Sequence, residues 1–247
     1  MKIVIIGGTG LIGTKVAGKL RQLGHSVIAG SPSTGLNSIT GEGLAEAMNG
    51  TDIVIDLSNS PSFEDGPVLE FFENSGRNLM AAETNAGVKH HLAVSIVGVD
   101  RMQDLGYMRA KLAQENLIRQ SELPYTIIRS TQFLEFIPAL VGAATKDNEV
   151  HVSDVEFQPI SAEDVASFVT ELALSAPANG IVEIAGPQRH SLSEFFAAYL
   201  REKDSTKQVI TNNKSEYFGG PVPHDGLVPQ GNAKLGATDL QQWLSTQ

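Results

Sequence analysis

The sequence predicts an α/β fold with a doubly wound parallel sheet, followed by a small C-terminal lobe. Two observations carry this. Apolar, β-branched runs alternate with helical patterns through most of the 247 residues, and such alternation builds βαβ units on a parallel sheet. The first run, residues 3–6, stops at glycines spaced Gly7-x-x-Gly10-x-x-Gly13, and an apolar helical stripe through Val16, Ala17, Leu20 and Leu23 starts at once. A buried strand, a tight turn and a helix start therefore follow one another without a spacer.

That context gives each glycine a task. Gly7 makes the turn off the strand, Gly10 lets backbone N–H groups approach a pyrophosphate, and Gly13 lets the helix pack closely on the sheet. The pyrophosphate would rest at the helix N-terminus, where unpaired N–H groups and the helix dipole favour an anion. The motif predicts a dinucleotide site.

The remaining elements follow in order. Strands are expected at 26–29, 53–57, 91–95 and 125–129, with helices at 11–23, 43–48, 68–86 and 107–121. Pro124 ends the last helix and forces an extended lead into the next strand. A helix over 133–145 contains Pro138, which implies a kink or a restart. Residues 1–146 form the expected dinucleotide-binding domain, and 147–247 a small α/β substrate lobe packed on it as one structural unit. In the lobe, residues 149–152 and 156–160 read as a strand pair. Ser161-Ala-Glu-Asp164 and Ser191-Leu-Ser-Glu194 read as helix N-terminal boxes. Residues 180–185 form a strand, 211–236 mostly loop, and 238–244 a terminal helix.

Composition narrows the function classes. The net charge of −10 repels nucleic-acid backbones and anionic lipid surfaces, so neither partner is expected. With no cysteine there is no thiol chemistry and no Cys-based metal site. No apolar stretch approaches the roughly 20 residues that span a bilayer, and nothing resembling a leader precedes the first strand. The cytoplasm is the expected address, and a small molecule the expected partner. No metal site is expected: His90 and His91 lack a third ligand and read as a partly exposed pair. Asp56, at a strand end, reads as a cap of the following turn. Phe133, Phe136 and Phe157 read as pocket wall or core. Trp243 packs on the core or on a second subunit, so a homodimer is compatible with the chain.

A second constellation joins Ser95, at the end of the fourth strand, to Tyr107-x-x-x-Lys111 on the next helix. Residues four apart share a helix face. A neighbouring ammonium would lower the phenol pKa and make it a usable acid or base.

With these motifs the chain resembles the short-chain dehydrogenase/reductase superfamily, in its atypical NmrA-like branch. The matching residues are the glycine motif, Asp52-Ile-Val-Ile-Asp56, Ala86-Gly-Val-Lys-His90, Ser95-Ile-Val-Gly98, Tyr107-x-x-x-Lys111, Tyr125-Thr-Ile-Ile-Arg129, Ser161-Ala-Glu-Asp164 and Glu183-Ile-Ala-Gly-Pro187. The resemblance implies a Rossmann-type fold and a set of roles. Tyr107 would be the acid/base, Lys111 would hydrogen-bond the nicotinamide ribose, and Ser95 would polarise a substrate carbonyl. Thr9, Gly10, Leu11 and Ile12 would contact the pyrophosphate through their backbone. Ser58 and Asn59 would line the adenosine ribose, and the loop Ser130-Thr131-Gln132-Phe133 would face the nicotinamide. Many relatives carry proline at the position of Ser130.

The stretch after the second strand, Ala29-Gly-Ser31-Pro-Ser33-Thr34-Gly35, selects the cofactor. It lacks the acid that would bind a ribose 2′-hydroxyl, and Ser31, Ser33 and Thr34 could accept a 2′-phosphate, although no arginine accompanies them. NADP(H) is favoured, with NAD as the alternative. The functional expectation is an NADP(H)-dependent oxidoreductase acting on a small carbonyl or quinone. A non-catalytic NAD(P)-binding sensor and an epimerase or dehydratase are the other readings.

Overall fold

The computed structural model describes residues 1–203, 205–212, 214–217 and 220–247. The chain opens with β1 (Lys2–Ile6), α1 (Leu11–Gln22), β2 (Ser26–Gly30), α2 (Leu44–Met48), β3 (Ile53–Asp56) and α3 (Asp65–Ala86). It continues with β4 (His90–Ile96), α4 (Gly106–Gln120), β5 (Tyr125–Ser130) and α5 (Ile137–Ala144). Then come β6 (Thr145–Lys146), β7 (Glu149–Ser153), β8 (Glu156–Phe157), α6 (Ala162–Ala173), β9 (Gly180–Ala185) and β10 (His190–Ser191). The last elements are α7 (Leu192–Glu202), β11 (Gln208–Asn212), β12 (Glu216–Tyr217), β13 (Gly220–Pro221), β14 (Lys234–Leu235) and α8 (Leu240–Leu244).

Among the described residues the central sheet has seven strands, all parallel, in the order β2-β1-β3-β4-β5-β9-β14. Strands buried on both faces need continuous apolar sequence, and residues 3–6 and 53–55 supply it, each no more than 5% exposed. One sheet face carries α1 packed against α6, over a core that includes Ile3, Ile5, Val16, Leu20, Ile128 and Val165. The other carries α2, α3 and α4, over Val4, Val54, Leu79, Ala93 and Ile127. The doubly wound parallel α/β class is the one predicted.

β1 lies between β2 and β3, so the connections leaving β1 and β3 part in opposite directions. In open α/β sheets that switch point forms a crevice above the carboxyl ends of the strands. The loops after β1 and β3 meet there: a Cβ on Gly7, which has φ +73°, would stand 2.6 Å from the Leu57 carbonyl oxygen.

Residues past α5 divide between two places. α6, β9 and β14 complete the main layers, while β6, β7 and β11 form a separate three-stranded sheet with α7 against it. That lobe has its own core of Phe157, Phe195, Phe196, Tyr199 and Trp243. Val99, Met108, Leu134 and Ile137 join it from before residue 146. The sequence expectation that residues 149–152 pair with 156–160 is not met. β7 pairs with β6 and β11, and β8 pairs with β10, so the two segments belong to different small sheets. The helix expected over 133–145 is a short 3₁₀ turn at Leu134–Phe136 followed by α5, restarted with Pro138 in its first turn, where a missing N–H costs nothing. The stretch 211–236 contains short strands, and its residues 213, 218 and 219 lie outside the described residues. Both helix starts are capped, but only one box is reciprocal. Ser191 Oγ accepts from the Glu194 N–H at 3.2 Å while Glu194 Oε2 accepts from the Ser191 N–H at 3.1 Å. At Ser161 the Oγ accepts from the Asp164 N–H at 3.0 Å, with no return bond to the Ser161 N–H among the described residues. No helix among the described residues is long and apolar enough to cross a membrane.

Candidate cofactor and active site

The glycine loop closes on itself and on β2: the Gly8 N–H donates to the Gly30 carbonyl, and the Gly10 N–H to the Gly7 carbonyl, both at 3.0 Å. Gly13 is there for packing, since a Cβ would lie 2.4 Å from the Gly7 oxygen. Gly10 differs, because its Cβ would meet only the Gly7 oxygen, at 3.3 Å. Thr9, Gly10 and Leu11 are exposed. The first turn of α1, containing Leu11, Ile12 and Gly13, has no side-chain cap and no acidic residue. Its N–H groups are left for an anion.

In the loop after β2 the hydroxyls are partly committed. Thr34 Oγ1 accepts from the Ser31 N–H and donates to the Ser31 carbonyl, both at 2.9 Å. Ser31 Oγ and Ser33 Oγ lie 2.8 Å apart and share one proton, which leaves the other to donate. The loop is thus a closed Ser-Pro turn with one hydroxyl donor to spare.

Alternation along the parallel strands places His91, Ala93 and Ser95 of β4 on the sheet face that α3 and α4 cover. Ser95 is buried, and its Oγ has no hydrogen-bond partner among the described residues. The same holds for Thr131 Oγ1 and Gln132 Oε1, just past the end of β5. β4 and β5 are adjacent in register, Ser95 opposite Arg129 and Ile96 opposite Ser130. Buried polar atoms are nearly always satisfied within a protein. Three orphans at the carboxyl ends of two neighbouring strands, together with the uncapped turn of α1, fit a polar ligand in the crevice.

The tyrosine and the lysine separate. The half-buried Tyr107 donates to Asn59 Oδ1 at 2.7 Å, and its ring packs against Phe63 and Phe72 with centroids 5.5 and 6.1 Å away. Lys111 is buried; its ammonium donates to the Val94 carbonyl at 2.8 Å and to Gln114 Oε1, and lies 4.6 Å from the centre of the Phe72 ring. Burial pushes the phenol up to about 12. The lowering by Lys111 expected from the spacing is not found, because that ammonium spends its hydrogen bonds elsewhere. Burial also brings Lys111 down to about 8, against the opposing pull of Asp56 and Glu115.

Asp56 caps the turn after β3, as expected: its Oδ1 accepts from the Ser58 N–H at 2.9 Å and the Ser58 hydroxyl at 2.6 Å. Its Oδ2 accepts from Gln114 Nε2 at 2.7 Å. Gln114 was not singled out in the sequence. Its signal was available, since Tyr107, Lys111 and Gln114 stand at i, i+4 and i+7 on one face of α4.

The histidines correct an expectation. They are not partly exposed: His90 is 3% and His91 0% exposed. His91 Nδ1 lies 2.9 and 3.0 Å from the two Glu83 oxygens, and His90 Nε2 2.9 Å from Thr126 Oγ1. Trp243 packs into the lobe core and donates to Glu135 Oε1 at 3.1 Å. Phe157 is core, whereas Phe136 is 52% exposed and stacked on Phe133.

Comparison with known proteins agrees with this geometry. The chain is 24% identical over 227 residues to the Photosystem II assembly factor Ycf39 of Synechocystis sp., a match covering 85% of this chain and 70% of that protein. Three further relatives are matched over 48%, 47% and 46% of their own lengths. The fold is that of a dTDP-4-dehydrorhamnose reductase from Clostridium acetobutylicum, with a TM-score of 0.73, 18% identity and coverage of 92% of this chain and 88% of that one. It is also that of the NADPH-dependent quinone oxidoreductase QOR2 of Escherichia coli complexed with NADPH, with a TM-score of 0.64, 20% identity and coverage of 85% and 78%. A family model described as NAD(P)H-binding matches residues 7–176, from the first glycine of the loop to just past α6. The chain belongs to this NAD(P)H-binding family.

Proposed function

We propose that the protein is an NADP(H)-dependent oxidoreductase of the short-chain dehydrogenase/reductase type, in its NmrA-like branch, that reduces a small carbonyl or quinone in the cytoplasm. The central sheet, completed by α6, β9 and β14 from beyond residue 146, would form the cofactor domain in place of a division at 146, and the remaining C-terminal elements the lobe that closes over the substrate. The observation that carries this reading is the trio of orphaned polar atoms, Ser95 Oγ, Thr131 Oγ1 and Gln132 Oε1. A buried polar group left unpaired costs about 1–3 kcal/mol, and a substrate carbonyl or a carboxamide would complete these three.

The uncapped turn of α1, from Gly10 to Gly13 behind Gly7, would hold the pyrophosphate through the N–H groups of Thr9, Leu11 and Ile12, with Gly10, whose own N–H is taken by the Gly7 carbonyl, serving for close backbone approach. Ser58 and Asn59 would line the ribose. The remaining hydroxyl proton of the Ser31–Ser33 pair, with no acid in residues 29–35 to repel a 2′-phosphate, supports NADP(H) over NAD. Bound dihydronicotinamide supplies a hydride to the carbonyl carbon. Ser95 would hold the carbonyl oxygen and Lys111 the nicotinamide ribose. Tyr107, with its phenol at about 12, is fully protonated near neutral pH and is therefore a donor: its proton goes to the oxygen that receives negative charge. The phenolate left behind takes a proton from water. This protonation state favours reduction over alcohol oxidation.

The match to an assembly factor over most of the chain favours a second reading, a nucleotide-binding factor that acts on a protein partner. One experiment separates the two. NADPH consumption is followed with a panel of quinones, aldehydes and ketones, with Tyr107→Phe alongside. Turnover that depends on Tyr107 supports the reductase; tight NADPH binding without turnover across the panel supports the factor.

A further inference from the structure

Tyr107 and Lys111 share no hydrogen bond, yet two sets of hydrogen bonds, joined by the Ser58–Asn59 backbone, connect them. The Tyr107 hydroxyl rests on Asn59, and the neighbouring Ser58 donates twice to Asp56 Oδ1. Asp56 Oδ2 accepts from Gln114 Nε2 at 2.7 Å, and Gln114 Oε1 accepts from the Lys111 ammonium. The amide has only one workable orientation, since its carbonyl must face the cation and its NH₂ the carboxylate. Gln114 is a spacer between a buried positive charge and a buried negative one. Asp56, Lys111 and Gln114 are each no more than 3% exposed, so their mutual influence is little screened by solvent.

We propose that Gln114 and Asp56 are positioning residues: through them the 56–59 segment, which holds the Tyr107 hydroxyl, also holds the Lys111 ammonium and sets its charge. The proposal rests on the reading above that Ser58, Asn59 and Lys111 meet the cofactor. A ligand that reorders residues 58–59 would bear on Asp56, and through Gln114 on Lys111, so cofactor affinity and the ionisation of Lys111 move together.

The groups facing Lys111 come from every packed element. β3 gives Asp56, α4 gives Glu115 and Gln114, β4 gives the Val94 carbonyl, and α3 gives the Phe72 ring. The Glu83–His91 pair of α3 and β4 bears on it only through Asp56, whose charge both of its members feel. A cationic Lys111 favours an anionic, hydroxyl-rich ligand, so affinity should fall as pH rises past the lysine's own midpoint.

The test is NADPH affinity by fluorescence titration between about pH 6 and 10, a range that brackets the Lys111 midpoint that burial brings down to about 8. It is measured for wild type, Gln114→Glu, Gln114→Met and Asp56→Asn, with turnover measured in parallel. Gln114→Glu adds a carboxylate beside the ammonium and should move the alkaline limb up by about one pH unit. Gln114→Met removes its acceptor, and Asp56→Asn removes the negative charge; both should move the limb down. Opposite displacement by Glu and Met at one position is the expected result, and a merely structural role would not produce it. A limb that stays at the wild-type pH in the folded variants overturns the proposal. If the limb moves while no carbonyl is turned over, the positioning stands and the reductase reading falls. If turnover is found and the limb does not move, the reductase reading stands and the positioning falls.

Discussion

The Tyr107 hydroxyl is bound to Asn59, 2.7 Å away on the loop after β3, and not to the lysine one turn further along its own helix. The acid of the proposed reaction is therefore aimed by the strand-end loop that would also line the cofactor. Tyr107→Phe removes the proton and leaves the ring contacts to Phe63 and Phe72. Turnover should fall at least about 10²-fold, the size of a general-acid contribution, while NADPH affinity changes little. Steady-state rates beside a binding titration check this, and unchanged turnover would remove Tyr107 from the mechanism.

Ser95 offers a test in which stability and activity part. Its buried hydroxyl has no partner, and an unsatisfied buried group of this kind costs about 1–3 kcal/mol. Ser95→Ala should leave the melting temperature unchanged or raise it, while kcat/KM drops about tenfold or more for loss of one hydrogen bond to the reacting oxygen. A variant that melts earlier and keeps its activity would place Ser95 among structural residues.

Two glycines of one loop should fail in different ways. At Gly10 a side chain meets only one backbone oxygen, at 3.3 Å, and projects at the open turn of α1. Gly10→Val should fold and lose cofactor binding. At Gly13 a Cβ would press 2.4 Å from the Gly7 oxygen and 2.7 Å from Gly8 Cα, so Gly13→Ala should destabilise by about 1–3 kcal/mol through overpacking. Thermal denaturation and NADPH titration of the two variants are sufficient, and retained binding by Gly10→Val would sink the pyrophosphate assignment.

The buried histidines give stability a pH dependence of two signs. Burial brings His90 down to about 4, so the unfolded chain binds its proton first, near the ordinary imidazole value of about 6.5. The stability it contributes is present above that value and is lost as pH falls towards 4. His91 is raised by the Glu83 carboxylate, against its own burial. Glu83, buried, is itself raised, so the folded pair holds its proton more tightly than the unfolded chain. That contribution is present below about 6.5 and is lost as pH rises through the raised value. Melting temperature against pH should show both limbs. His90→Asn should flatten the acid limb alone, and Glu83→Gln the alkaline one at a cost of about 3–5 kcal/mol for breaking a buried pair. A Glu83→Gln protein as stable as wild type would contradict the pairing.

Much of this molecule was legible as sequence, for a physical reason. The parallel sheet is buried on both faces, so β1 and β3 are nearly pure apolar runs, and the glycine loop is legible because only glycine fits φ +73° at Gly7 or the contact at Gly13. Helix starts at Ser161 and Ser191 were legible because capping is local chemistry. Strand pairing in the lobe was not, since β7 finds its partner β11 more than 50 residues away, and short two-residue strands such as β8 and β10 carry no periodicity of their own. Nor were the environments of His90 and His91: the residues that bury them come from α3, β5 and the α6 end, none adjacent in the chain.

The sequence by itself determined the doubly wound α/β class, the order of its elements through β5, and the placing of a dinucleotide loop between β1 and α1. These follow from backbone sterics and burial period, which are written residue by residue. Only the tertiary structure decided where the polar groups point. Spacing put Tyr107, Lys111 and Gln114 on one face of α4. Whether the ammonium meets the phenol or turns inward depends on Val94, Phe72 and Asp56 from β4, α3 and β3. Hydrogen bonds are short-ranged and directional, so their partners exist only once the sheet has brought those elements together.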